Sequence, residues 1–306
     1  MTTAQDSSFS DRLGTRVFTG AMGLLQRLPY ARRIAVAGRL VSLAAGPLGW
    51  RRRIRENLAL TCPDLTPAEV EQLTRAVPDN IGRSLAEIYA GAEFTTRVAD
   101  LPIEGEGAAV LQAAHEAGRP IVLAAAHFGN YDAWRAALKA RGYRIGAIYR
   151  PMNNRAFNAQ YVAQISTIAE PLFPRNRKGL GQMLRFLREG GMVAFGFDQH
   201  LYRAPRLRFF GQPANTPTSA AEMALKLGAE LVPINAIRQP NGLDFRIFAE
   251  APIPHSDAET MTQALNDRLE ALVRAHMDQW FWVHRRWKAV THTPTATPPD
   301  DEDPEA

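Results

Sequence analysis

From about residue 106 onward the apolar positions settle into a repeating alternation. Stretches with helical spacing, such as "GAAVLQAAHEAG", hand over to short continuous apolar runs, such as "PIVLAAA". The same rhythm predicts helix then strand in "YDAWRAALKARG" and "RIGAIY", in "KGLGQMLRFLREGG" and "MVAFGF", and in "TSAAEMALKLG" and "AELVPINAIR". A helix "RAFNAQYVAQISTIA", a strand "LDFRIFA" and a long helix over roughly 258–278 complete the set. Continuous apolar strands alternating with helices imply an α/β fold, a mixed central sheet flanked by helices on both faces.

Upstream the pattern is helical only. A helix over 64–96 opens at "DLTPAEVEQ", with Thr66 as N-cap, Pro67 at the first helical position and Glu69 closing a capping box. Residues 13–50 read as two short apolar helices broken at Pro29. Arg27, Arg32, Arg33 and Arg39 interrupt them, so neither is a clean membrane span. Two readings stand: a buried helical hairpin, or a membrane element that spans or lies in the interface, with Arg51, Arg52 and Arg53 on anionic headgroups. The expected organisation is a flexible N-terminus (1–12), a membrane-associated helical segment (13–55), one catalytic domain (56–290) and a disordered acidic tail (291–306).

Charge sharpens this picture. The chain carries +5 overall, but five acidic residues and no Lys or Arg lie in the last 16 positions. The rest holds 36 Lys and Arg against 26 acidic residues, a balance of +10. A basic body fits an anionic partner: nucleic acid, acidic lipid headgroups or an acidic carrier protein. Cys62 is the one cysteine, so no intrachain disulfide forms, which fits a reducing compartment. The first ten residues carry no cation, unlike a signal peptide.

Open α/β sheets bind ligands beyond the ends of their strands. In "AAAHFGNYDAW" an apolar strand ends at His127, a Gly-Asn turn follows, and Asp132 sits in the first turn of the next helix. A carboxylate on one ring nitrogen would fix the tautomer and leave the other nitrogen as a base. The alternative is a capping turn around a satisfied histidine. There is no Gly-x-Ser-x-Gly elbow, phosphate loop, His-Glu-x-x-His or cysteine pair, so no metal is expected. A His–Asp pair would then activate a hydroxyl of a substrate. Further candidates at strand ends are Arg150 and Asn154 in "YRPMNNR", Arg175, Arg177 and Lys178 before a helix start, and Asp198 and Gln199 in "FGFDQH". Phe209 and Phe210 would line an acyl pocket or belong to the core. "QWFWVHRRWK" interleaves Trp280, Trp282 and Trp287 with Arg285, Arg286 and Lys288, as a membrane interface, a nucleic-acid surface or a packed amphipathic stretch would.

Taken together and in order, "HFGNYD", "YRPMNN", "RKGL", "DQ", "FFGQPANT" and "QWFWVHRRWK" resemble the late or lauroyl-type lipid A biosynthesis acyltransferases, within the wider His-x4-Asp/Glu acyltransferases. The resemblance implies an acyltransferase domain at 56–290, with His127 as base and Asp132 as its orienting acid. It implies a fatty acyl chain taken from acyl carrier protein, with no other cofactor. The acceptor would be a hydroxyacyl chain of a Kdo-bearing lipid A precursor, at the cytoplasmic face of a bacterial inner membrane. The basic body then has anionic partners in the glycolipid, the carrier protein and the membrane surface, and none in nucleic acid. Two alternatives keep a place: a phospholipid or aminolipid O-acyltransferase of the wider group, and a non-enzymatic basic peripheral protein. Candidate oxyanion donors are the amides of residues 128–130 and the side chains of Arg150 and Arg177.

Overall fold

A computed structural model describes residues 9–152 and 154–288. Three helices lead the chain: α1 (Phe9–Leu25), α2 (Tyr30–Ala44) and α3 (Trp50–Thr61). Pro29 separates the first two, because proline has no amide to continue a helix but suits the start of the next. Helix α4 (Pro67–Tyr89) begins with the expected capping box. Thr66 N–H donates to the Glu69 carboxylate at 2.7 Å, and Glu69 N–H donates to Thr66 Oγ1 at 3.3 Å. The single helix expected over 64–96 is two, because Gly91 turns the chain at φ +56 before α5 (Ala92–Ala99).

The α/β region follows: β1 (Ile103–Glu104), α6 (Glu106–Glu116), β2 (Ile121–Ala125), α7 (Tyr131–Ala140), β3 (Ile145–Tyr149), α8 (Arg155–Ile168), β4 (Leu172–Pro174), α9 (Arg177–Arg188) and β5 (Met192–Gly196). A hairpin of β6 (Arg206–Phe209) and β7 (Gln212–Asn215) comes next, then α10 (Ser219–Leu227), β8 (Glu230–Arg238), β9 (Phe245–Ala249), α11 (Ala258–Ala275) and a 3-10 turn at Met277–Gln279. The seven-stranded sheet runs β1-β9-β8-β2-β5-β3-β4 and is parallel except where β9 meets β8. Strand β2 is central, with parallel partners on both sides. Its residues alternate between two cores: Val122 and Ala124 face one, Ile121 and Leu123 the other. Burial on both faces is why these strands read as unbroken apolar runs.

Among the described residues no helix is long and apolar enough to cross a membrane. Helix α2 instead packs on α4 by close approach at Gly38 and Gly82. A Cβ on Gly82 would stand 2.6 Å from Ala37 O. Tyr30, Ile34 and Ala37 are buried by this packing, while Leu40 and Leu43 face outward. Most of the proposed N-terminus and the whole acidic tail, including residues 291–306, lie outside the described residues.

Candidate active site

Strand register builds the centre. Strands β2 and β5 pair Ala125 with Gly196, so two residues further along each strand His127 and Asp198 stand side by side. Asp198 Oδ1 lies 2.8 Å from His127 Nδ1. Its Oδ2 accepts the His127 backbone N–H at 2.9 Å and the Trp280 indole N–H at 3.0 Å. Burial alone would raise the Asp198 pKa. The His127 charge and these three donors overcome it and hold the carboxyl down at about 2. Burial likewise pushes His127 down, but the Asp198 carboxylate and its hydrogen bond win, and the pKa rises above the ordinary 6.5. A carboxylate only accepts, so the resting imidazole carries its proton on Nδ1 and leaves Nε2 as the base. Gln199 Nε2 stands 3.3 Å from that atom. The His127 side chain is 34% exposed and that of Asp198 1%, so solvent reaches the base and not its partner.

Two pH effects follow. Base catalysis needs neutral His127, so the transfer rate is expected to rise with pH through a midpoint above 6.5. For stability, the raised His127 contributes below its unfolded pKa, and that contribution is lost as pH climbs through the raised value. The depressed Asp198 contributes above its unfolded value of 3.8 and is lost as pH falls toward about 2. A rate profile paired with melting curves across pH checks both limbs.

The turn carrying His127 is braced from behind. Gly129 N–H donates to Gln279 O at 2.9 Å, and Phe281 N–H to His127 O at 3.1 Å. Gly129 O accepts from Ser84 Oγ at 2.9 Å and from Asn80 Nδ2 at 3.3 Å. Asn130 caps α7 by accepting from Asp132 N–H at 2.9 Å, while its Nδ2 donates to Glu87 at 2.7 Å. Glu87 holds Arg238 in a buried bidentate pair, and Arg238 Nε donates to Asn80 at 2.7 Å. Gln279 closes the net by exchanging two bonds with the Arg238 backbone. Gly129 itself sits at φ +55, and a Cβ there would lie 1.9 Å from Ala236 O. Gly129→Ala is expected to cost about 1–3 kcal/mol of stability and to abolish most turnover. Melting and transfer assays on that variant test this.

Several expectations are corrected. Asp132 does not pair with His127. As the second residue of α7 its side chain turns away and forms a buried ion pair with Arg135. Arg135 in turn donates to Ala169 O at 2.8 Å. Burial pushes the Asp132 pKa up against the pull of Arg135. Phe209 and Phe210 belong to the core, the second of the two readings. Both are buried among Trp280, Trp282 and Trp287, with Phe209 stacked on Trp287 at 5.8 Å. The tryptophans of this segment are therefore packed core, Arg286 is buried on Asn215 O and Thr216 Oγ1, and Arg285 is exposed. Of the three turn amides, Phe128 N–H is spent on Ala126 O and Gly129 N–H on Gln279 O. Asn154 caps α8 by accepting from Phe157 N–H at 2.9 Å. Arg150, Arg175, Arg177 and Lys178 are exposed on the rim formed by the ends of β3 and β4 and the start of α9. Among the described residues none of the four reaches a carboxylate.

Sequence reading missed Asn80, Ser84, Glu87, Arg238 and Gln279. The first three recur at helical spacing along α4, a polar stripe on the side that turns out to be buried.

Among the described residues no Ser, Thr or Cys side chain is hydrogen-bonded to His127. A partly exposed histidine at the end of the central strand, paired with a buried carboxylate, has the geometry of a base that could take a proton from a substrate hydroxyl. The chain matches the family described as bacterial lipid A biosynthesis acyltransferase over residues 6–289 and belongs to it. It is 26% identical to the lipid A biosynthesis lauroyltransferase of Escherichia coli K12 over 278 residues, covering 88% of this chain and 89% of that one. It is 24% identical to the phosphatidylinositol mannoside acyltransferase of Mycobacterium tuberculosis H37Rv over 247 residues, covering 79% and 78%. The lipid A biosynthesis acyltransferase of Shigella flexneri is 23% identical over 284 residues, covering 88% and 89%.

Proposed function

We propose that the protein moves a fatty acyl chain from acyl carrier protein onto a hydroxyl of a hydroxyacyl chain in a Kdo-bearing lipid A precursor. The reaction takes place at the cytoplasmic face of a bacterial inner membrane. The observation that carries this reading is the His127–Asp198 dyad, with Nε2 on the partly exposed side of the ring beside the Gln199 amide, in a chain of this family. Nε2 takes the proton of the acceptor hydroxyl as its oxygen attacks the thioester carbonyl carbon. The new C–O bond forms, the tetrahedral intermediate collapses, the C–S bond breaks, and the imidazolium returns the proton to the leaving thiolate. Asp198 balances the imidazolium charge. The Gln199 amide lies next to the reacting atoms, where it can donate to the developing oxyanion. No covalent enzyme intermediate and no cofactor besides the carrier thioester is needed. The rim of Arg150, Arg175, Arg177 and Lys178 suits the phosphates and carboxylates of such an acceptor.

A second acceptor has specific support: relatives of similar identity are named phosphatidylinositol mannoside acyltransferases, so a mannosylated phosphoinositide belongs in the assay. The test incubates the protein with mixed acyl carrier protein thioesters and each of three acceptors: the tetra-acylated Kdo-bearing precursor, the mannoside and a lysophospholipid. Product mass is read. One added acyl chain on the lipid A precursor is expected. His127→Ala should lower the rate on the order of 100- to 10,000-fold. Gain on another acceptor alone reassigns the substrate, and wild-type turnover in the alanine variant overturns the mechanism.

A further inference from the structure

Exposed apolar side chains are unevenly distributed. Of the eight large hydrophobic residues exposed among the described ones, five lie between Leu24 and Leu48: Leu24, Leu28, Leu40, Leu43 and Leu48. Leu43 is 70% exposed, Leu48 57% and Leu40 51%. Such a cluster marks a contact surface, where scattered single leucines would not.

Beside it runs a groove of about 1390 Å³ along the outer side of α4, walled by α2, the start of α3, the β8–β9 turn and the 3-10 turn. Arg39, Arg51, Arg75, Arg83 and Arg238 line it, against Glu71, Asp79 and Asp278. Most of these charges are already matched: Arg75 with Glu71, Arg83 with Asp79, Arg238 with Glu87. Arg39 and Arg51, at the end where Leu43 also lines the groove, reach no carboxylate among the described residues. Arg51 gives one nitrogen to Ser42 O at 3.0 Å, and its buried Nε has no hydrogen-bond partner.

We propose that this end of the groove binds the phosphate of an anionic membrane lipid, with Leu40, Leu43 and Leu48 dipping into the bilayer interface beside it. Two unpaired guanidinium groups supply the donors that a phosphate diester accepts. A soluble phosphate would need no apolar rim, and an acidic protein would leave that rim uncovered. Arginine stems can lie along apolar surface while their heads reach the headgroups, so Arg39, Leu40 and Leu43 on α2, Leu48 in the turn after it and Arg51 on α3 work together. Contact of this kind lies in the plane of the membrane; among the described residues no helix is long and apolar enough to cross it. The far end of the groove is floored by Asn80, Arg238 and Gln279, so a bound lipid lies one layer behind the catalytic turn.

The inference rests on the membrane partner in the proposed function and not on the reaction, and its test needs no turnover. The full chain is floated with vesicles of phosphatidylcholine alone and with added phosphatidylglycerol. Wild type is expected to prefer the anionic vesicles, with binding that falls as salt rises. The double variant Arg39→Gln/Arg51→Gln should bind them roughly 25-fold more weakly, about fivefold per arginine. Leu40→Ser/Leu43→Ser should weaken binding to both vesicle types. Arg246→Gln, whose arginine pairs with Glu104 away from the groove, should change neither. All variants are melted to show that they fold.

Equal binding by wild type and the arginine double variant overturns the site. So does equal wild-type affinity for neutral and anionic vesicles. Displacement from vesicles by millimolar inorganic phosphate would assign the groove to a soluble anion. Loss of acyl carrier protein binding with vesicle binding intact would assign it to a protein. Vesicle binding without any acyl transfer would overturn the reaction and leave this site standing.

Discussion

Replacing Asp198 by asparagine is expected to slow acyl transfer about as much as removing His127, on the order of 100- to 10,000-fold, in a protein that still folds. The amide nitrogen would donate to Nδ1, force the imidazole proton onto Nε2 and so remove the base. One oxygen would also have to serve both the His127 and Trp280 N–H groups that Oδ2 now accepts. Residual activity should show a midpoint lower in pH, because the charge that raises His127 is gone. Asp132→Asn provides the contrast. It leaves Arg135 buried without its carboxylate, so stability should fall while the rate midpoint stays in place. A pH–rate profile for both variants decides which carboxylate serves the base.

The second large effect falls on stability. Glu87→Leu leaves Arg238 as a buried unpaired cation and removes the acceptor of Asn130 Nδ2. Breaking one side of a buried pair costs about 3–5 kcal/mol, which lowers the melting temperature by roughly 6–10 °C. Removing both charges in Glu87→Leu/Arg238→Met should recover part of that loss, since a buried pair and its apolar replacement are often close in free energy. Turnover should not recover with it, because Asn80 loses the donor that orients it behind Gly129. Melting curves and rates on the single and double variants separate bracing of the catalytic turn from plain stability.

Periodicity made most of this fold legible, and the reason is burial. Strands covered on both faces leave continuous apolar runs, and "PIVLAAA" and "MVAFGF" lie where expected. The two-residue β1, the three-residue β4 and the β6–β7 hairpin are too short or too polar to leave such a trace. His127 was legible as a candidate because a histidine closing a buried strand stands out. Its partner was not. Asp132 is near in sequence, but Asp198 is near in space through a strand pairing across 71 residues that local pattern does not encode. The tryptophans were ambiguous for a related reason. Interleaved aromatics and arginines look alike whether they face lipid or a core, and here Trp280, Trp282 and Trp287 are all buried.

The bracing of His127 by the end of the chain has a consequence for how the protein is made. The last pieces of the site to leave the ribosome are Gln279, which holds Gly129, Trp280, which holds Asp198, and His284, which accepts from His200 N–H at 2.8 Å. A nascent chain that has already extruded His127 and Asp198 still lacks these supports. A chain cut short before residues 279–284 would therefore carry His127 and Asp198 without the groups that hold them in place.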